Sequence, residues 1–256
     1  MLPGSSLETK RCRPHRRCGS HDGSSVARGR GNVMDVALTR RPKLAHLEFF
    51  FDLSSPWTRL AFHNIQPIAT ETGATVVLRP FLVGGVFNAV NQDAYESRAD
   101  VASSKNRHTL KWLGDWARLA GVPMNFPSPY HPARSVAAMR FCCALEDDQS
   151  ALHRFATTAF AAYFGDARDL DDPAVLVSAA NAAGLDGERL SCRAQEPDIK
   201  AKLRKNTQEA VDRGAFGSPT LFLGLDEMFF GNDQLPLVRQ ALLGRSAQPG
   251  ASTAAR

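Results

Sequence analysis

Residues 44–58, "LAHLEFFFDLSSPWT", decide the fold. Residues 46–53 form a short apolar run rich in phenylalanine, the pattern of a buried strand. Ser55 then stands where a helix N-cap belongs and Pro56 where the first helical residue belongs. The cap oxygen takes an otherwise unpaired N–H, and proline has no N–H to lose. Trp57, Leu60, Ala61, Asn64, Ile65 and Ile68 follow at helical spacing and predict one mostly apolar stripe. Pro67 predicts a kink and Gly73 the helix end. "TVVLRPFLV" (75–83) reads as a second strand, β-branched at first and halted by Pro80. Strand, helix and strand together imply a parallel pair with a right-handed crossover.

Working outward, residues 91–213 read as helical throughout. Trp112, Trp116 and Leu119 are expected on one face of a helix that stops before Gly121. "SALHRFATTAFAAYF" places Leu152, Phe155, Ala159, Phe160, Tyr163 and Phe164 at helical spacing. Asp172-Pro173 opens another helix and Gly184 closes it; Pro197 opens a charged helix ending at Gly214. The end returns to strands, "GSPTLFLG" (217–224) and "EMFFG" (227–231), and then a closing helix over 232–243. The order β-α-β, helical block, β-β-α is the thioredoxin topology: an α/β fold with a large all-helical insertion. Residues 44–90 and 214–243 are expected to form the thioredoxin-fold domain and 91–213 the insertion domain. Residues 1–43 are expected to be a disordered basic leader and 244–256 a disordered tail.

The net charge of +5 over 256 residues is unevenly spread. Residues 1–43 carry +7 and the remainder −2, so the folded body is not basic. Nucleic acid is therefore not an expected partner of the body; an Arg-rich leader touching an anionic surface is the lesser alternative. Met34, just before the first strand, is a candidate alternative start that would remove most of the leader. No apolar run approaches the roughly 20 residues that cross a bilayer, and no signal-peptide pattern opens the chain. The five cysteines (Cys12, Cys18, Cys142, Cys143 and Cys192) form no C-x-x-C pair and no zinc spacing. A cytoplasmic protein without metal is the expectation.

Chemistry is expected where the first strand ends at a helix N-terminus, whose free N–H groups favour an anion. In thioredoxin folds that position carries C-x-x-C. Here it reads Ser55-Pro56-Trp57-Thr58, so no dithiol is available for disulfide exchange. Read alone, Ser55 is as well explained as a cap; a serine there also donates a hydrogen bond to a sulfur anion brought by a ligand. Ser218-Pro219-Thr220 strengthens the second reading, because in this fold the residue before a cis proline faces the active-site helix and offers its backbone to an extended peptide. "FFGNDQL" (229–235) adds a second helix N-terminus, with Asn232, Asp233 and Gln234 placed to meet a carboxylate and an ammonium.

Together "FFFDLSSPW", "LRPFLVGGVFNA", "AGVPMNFP", "RDLDDPAVL", "GAFGSPTLFLG" and "FFGNDQL" make the chain resemble the 2-hydroxychromene-2-carboxylate isomerases and the kappa-class glutathione transferases, in the DsbA-like branch of the thioredoxin fold. The resemblance implies glutathione as cofactor. Ser55 matches the serine that hydrogen-bonds its sulfur, and Ser218 before Pro219 the residue whose backbone pairs with its cysteinyl unit. Asn232 and Asp233 match the γ-glutamyl positions, and Lys105 a lysine that meets the glycyl carboxylate. Two departures stand out: Gln92, or its neighbour Asn91, where the kappa enzymes have asparagine, and Gln234 where arginine is usual. Losing that guanidinium removes a strong carboxylate partner.

The activity so implied is a glutathione-dependent isomerase acting on a small aromatic substrate, with Ser55 catalytic and Trp57, Phe87, Trp112 and Trp116 as candidate walls of the substrate pocket. The alternatives are a kappa-like transferase that leaves glutathione attached, and a non-catalytic binding module that has lost its cysteines. The relatives' habit of forming homodimers extends the expectation to this chain.

Overall fold

β1 (His46–Phe51) lies inside a sheet that, among the described residues, has four strands in the order β2-β1-β3-β4. The computed structural model describes residues 45–91, 103–225 and 227–246. The basic leader, Gln92 and the residues after Ser246 lie outside them. β2 (Thr75–Pro80) runs parallel to β1 and is reached through α1 (Pro56–Thr72). β3 (Thr220–Leu223) is antiparallel to β1, and β4 (Glu227–Phe230) is antiparallel to β3. Between β2 and β3 come α2 (Val83–Val90), α3 (Ser104–Ala120), α4 (Val136–Leu145) and α5 (Gln149–Phe160), the last continued by a π turn over Ala161–Gly165. α6 (Pro173–Ala182), α7 (Gly187–Arg193) and α8 (Pro197–Asp212) follow, and α9 (Leu235–Ser246) is the last element among the described residues. This is the expected thioredoxin order interrupted by helices.

A central strand is covered on both faces, which is why Phe49, Phe50 and Phe51 of β1 are all apolar and all buried rather than alternating with polar residues. Leu47, Phe49 and Phe51 point into the larger buried cluster, where the Phe49 and Phe51 rings lie 6.4 Å from the Phe62 ring of α1. Phe50 points the other way, edge-on to Phe81 and Phe222 at 6.0 and 5.5 Å. Each such ring, fully withdrawn from water, contributes on the order of 1.5–3 kcal/mol. Glu48 shares the Phe50 side and pairs with Arg79 at 3.0 Å and Arg213 at 2.7 Å. Both guanidiniums lie over the Phe50 ring, so the charged groups cover the apolar face beneath them. The larger cluster also takes in Phe141, Phe155, Phe160 and Tyr163 of the helical block and Val238 and Leu242 of α9. Sheet and inserted helices thus share one buried core.

The structure departs from the sequence reading at several places. The segment between Gly121 and Ser135 is not helical, because Pro123, Pro127, Pro129 and Pro132 deny it a hydrogen-bonded helix. On α3 the buried positions are Leu113 and Ala117, while Leu119 is 79% exposed, so the face drawn through Trp112, Trp116 and Leu119 is not the inward one. Pairing of β3 begins only at Thr220, since Gly217 and Ser218 turn into the site and Pro219 has no N–H to donate. α9 starts at Leu235 rather than 232, after a turn in which the Leu235 N–H reaches the Asn232 carbonyl at 3.3 Å. It runs past Gly244, where a tail was expected to begin.

Candidate functional site

Ser55 caps α1. Its Oγ accepts the Thr58 N–H at 3.2 Å and donates its own proton to the Ser218 carbonyl at 2.9 Å. The Ser218–Pro219 peptide is cis, as expected. Thr58 Oγ1 and Ser218 Oγ are 2.7 Å apart, and Ser218 Oγ also accepts the Asp52 N–H at 3.0 Å. The end of β1, the first turn of α1 and the loop before β3 are therefore tied by hydroxyls and backbone alone. The α1 first turn carries no acidic residue, so the positive end of its dipole is not offset on the helix itself.

Asp52 holds the neighbouring elements together. One carboxylate oxygen accepts the Ser54 N–H and hydroxyl, both at 2.9 Å. The other accepts the Val83 N–H at the start of α2 (2.9 Å) and the Ser135 hydroxyl at the start of α4 (3.0 Å). Burial pushes its carboxyl above the ordinary value, while these donors pull the other way. Donors on all four contacts suit an ionised carboxylate, which only accepts.

A cavity of about 530 Å³ opens beside Ser55. Ser55, Trp57, Phe87 and Ser218 line it, together with Asn91, Asn106, Phe126, His131, Phe216 and Phe230. Gly217 is required in this wall, because a Cβ there would come 2.6 Å from the Phe230 ring. Its size falls in the range of small-molecule sites, and its walls are largely apolar with a few polar groups. His131 is set edge-on to Phe126, with ring centroids 4.5 Å apart.

The remaining sequence candidates lie elsewhere or at its margin. Trp112 packs at a tilt against Trp57, ring centroids 4.9 Å apart, without itself lining the cavity, and is 40% exposed. Trp116 and Asn232 line a separate groove between α1, α3 and the start of α9. Asn232 is buried; its Oδ1 accepts from Asn64 Nδ2 at 2.8 Å, and its Nδ2 finds no hydrogen-bond partner among the described residues. Asp233 is exposed beside Gly231. Gln234 folds back, its Oε1 accepting the Phe230 N–H at 2.9 Å, and Pro219 accepts the Gly231 N–H at 3.1 Å. Lys105 is exposed in the first turn of α3, whose cavity-facing residues include Asn106 and Thr109. Gln92 lies outside the described residues. Sequence reasoning missed Asp52, Asn106, Phe126, His131, Phe216 and Phe230. The signal available for two of them was the proline-rich stretch "FPSPYHPARS", too poor in donors for regular structure and holding Phe126 and His131. Cys142 and Cys143 are free and buried, with thiols pushed up by desolvation; Cys192 is free and exposed. Among the described residues no cluster suits a metal ion, and no helix is long and apolar enough to cross a membrane.

Known proteins match this architecture. A 2-hydroxychromene-2-carboxylate isomerase of Sphingobium xenophagum is 29% identical over 199 residues, covering 77% of this chain and 97% of that protein. Glutathione S-transferase kappa 1 of Rattus norvegicus is 28% identical over 207 residues, covering 77% and 90%. A solved structure of a 2-hydroxychromene-2-carboxylate isomerase superposes with a TM-score of 0.64 at 26% identity, over 79% of this chain and 96% of that one. The model of the DSBA-like thioredoxin domain spans residues 46–243, and the chain belongs to that family.

Proposed function

We propose that this protein is a glutathione-dependent isomerase of small aromatic compounds of the 2-hydroxychromene-2-carboxylate type. The observation that carries the reading is Ser55: a hydroxyl at a helix N-terminus, facing the Ser218 carbonyl across 2.9 Å and opening on a largely apolar cavity, in a site with no cysteine. Similarity to proteins named for that isomerisation supports the substrate class.

The residues fit glutathione at its sulfur end. Ser55 would meet the sulfur, and the Ser218-Pro219 backbone the cysteinyl unit. Asn232, whose buried Nδ2 lacks an acceptor, would take the γ-glutamyl carboxylate, with Asp233 beside it for the ammonium. Lys105 and Gln92 would hold the glycyl end, and Gln234 is spent on its own backbone turn. When bound, glutathione supplies a thiolate that adds reversibly to a conjugated carbon, so that a double bond can rotate.

Ser55 has one proton and two claimants for it. In this structure the Ser218 carbonyl receives it. Turning it to a sulfur anion, with the Thr58 N–H and the helix dipole behind it, favours thiolate over thiol. Ser218 Oγ stays held by Asp52 and Thr58, so the loop keeps its place while the Ser55 proton moves. Trp57, Phe87, Phe126 and Phe230 surround a flat substrate and exclude water, and Trp112 backs Trp57. The reading includes a cytoplasmic homodimer with no nucleic-acid partner.

A kappa-like transferase would use the same site, and similarity to proteins of that name favours it as second reading. The two part at product release: an isomerase returns glutathione unchanged, whereas a transferase yields a conjugate. The first experiment is an ultraviolet titration of thiolate with glutathione, wild type beside Ser55→Ala. The reading expects a bound thiol with depressed pKa, raised in the variant. No bound thiolate in the wild type leaves Ser55 a helix cap and favours a non-catalytic module.

A further inference from the structure

The proposed mechanism draws on the backbone of Ser218 and treats its hydroxyl as a tie. That tie leaves one proton unspent. Ser218 Oγ accepts the Asp52 N–H at 3.0 Å and lies 2.7 Å from Thr58 Oγ1. Two facing hydroxyls share one hydrogen bond, so one of their two protons points elsewhere. Among the described residues neither oxygen has a further partner. If Ser218 donated, the proton left over would sit on Thr58, which is fully buried, and an unmade hydrogen bond there is costly. If Thr58 donates, Ser218 Oγ has both lone pairs filled, by the Thr58 O–H and the Asp52 N–H, and the proton left over is its own. Ser218 lines the Ser55 cavity and keeps 7% of its surface exposed, so that proton has an outlet. Burial therefore favours the second arrangement.

We infer that Ser218 is a second hydroxyl donor of the site: Thr58 gives its proton to Ser218 Oγ, and Ser218 turns its own into the cavity, toward the sulfur anion that Ser55 meets. Both serines stand at the first turn of α1, Ser55 Oγ 2.9 Å from the Ser218 carbonyl and Ser218 Oγ against Thr58. They differ in what a ligand asks of them. Ser55 must release the Ser218 carbonyl before it can donate, whereas Ser218 releases nothing. An O–H whose oxygen already accepts two hydrogen bonds is polarised, which strengthens its donation. A thiolate, which accepts from more than one donor at once, is the ligand class that fits. The inference deepens the proposed function and rests on it for the source of the thiolate; the donor is built from this chain alone.

The ultraviolet titration of thiolate with glutathione, extended to Ser218→Ala and Thr58→Val of the full-length protein, tests this. Each variant is kept only if its near-ultraviolet dichroism matches the wild type. Loss of a hydrogen bond to a charged group should raise the bound thiol pKa by about one unit or more in Ser218→Ala. Thr58→Val cuts the same tie between helix and loop but leaves the Ser218 proton in place, so its rise should be clearly smaller. Ser218→Thr, which keeps the hydroxyl, should restore most of the depression. An unchanged pKa in Ser218→Ala overturns the inference, and so do equal rises in Ser218→Ala and Thr58→Val, which would make Ser218 a tie and nothing more. A fall in Thr58→Val overturns it too, because the Ser218 proton would then have been spent on Thr58. If the wild type holds no glutathione thiolate, Ser55→Cys supplies the sulfur, and its thiol is titrated as the difference from wild type, with and without Ser218→Ala. A rise of the same size there upholds Ser218 and refutes the glutathione reading; an unchanged pKa overturns the Ser218 inference by itself.

Discussion

Thr58 Oγ1 and Ser218 Oγ lie 2.7 Å apart although 160 residues separate them in the chain. This contact closes the site: it joins the first turn of α1 to the cis-proline loop where a family member with C-x-x-C would carry its second sulfur. Both side chains are buried. Thr58→Val keeps the shape and removes the hydroxyl, so Ser218 retains one donor and loses a partner. We expect a loss of about 1–2 kcal/mol from urea unfolding. Combined with Ser218→Ala, the double variant should lose less than the two single losses added together. Strict additivity would mean that the hydroxyls do not act as a pair.

Asp52 accepts from Ser54, Val83 and Ser135 at once. In Asp52→Asn the amide must turn two N–H groups toward donors. The Val83 N–H cannot rotate away, and the variant should lose about 1–3 kcal/mol. Thermal unfolding measures this, and an unchanged midpoint would refute the role given to Asp52.

His153 lies against the Phe62 ring at 4.9 Å, and burial lowers its pKa below 6.5. The unfolded chain therefore takes up that proton first. Its contribution to stability is present above the unfolded value and is lost as pH falls through the folded one. Urea midpoints between about pH 7.5 and pH 5 should decline on the acid side in the wild type and decline less in His153→Gln. Parallel curves would show that another group sets the slope.

Arg59 is 9% exposed on α1, with its guanidinium 5.8 Å from the Phe160 ring centre. Its Nε has no hydrogen-bond partner among the described residues, and desolvation lowers its pKa. An unpaired buried charge costs more than an apolar side chain of similar length. Arg59→Met should leave stability unchanged or raise it by about 1 kcal/mol, read as a higher Tm. A clear fall would show that the guanidinium holds an acceptor in solution.

The strand–helix–strand opening was legible because its signals are local. The phenylalanine run, the Ser55 cap and the glycine after α1 each act within a few residues, and the structure places all three as expected. The loop from Gly121 to Ser135 was misread because its prolines interrupt a stretch otherwise flanked by helices. On α3 the periodicity was present, but the large tryptophans were taken for the buried face that Leu113 and Ala117 form.

Residue types at the sulfur end were determined by the sequence itself: serine and threonine where C-x-x-C would place two cysteines, and a serine before a proline. No folding can put a thiol back in that motif. Tertiary structure alone decided what stands around it. His131, Phe126, Phe216 and Phe230 reach the Ser55 cavity from distant segments, while Trp116 and Asn232 face a different groove. Side-chain chemistry is written one residue at a time, but a cavity wall is a set of long-range neighbours. Which of several aromatic stretches supplies it depends on how the helices pack against the sheet, and local spacing carries no record of that.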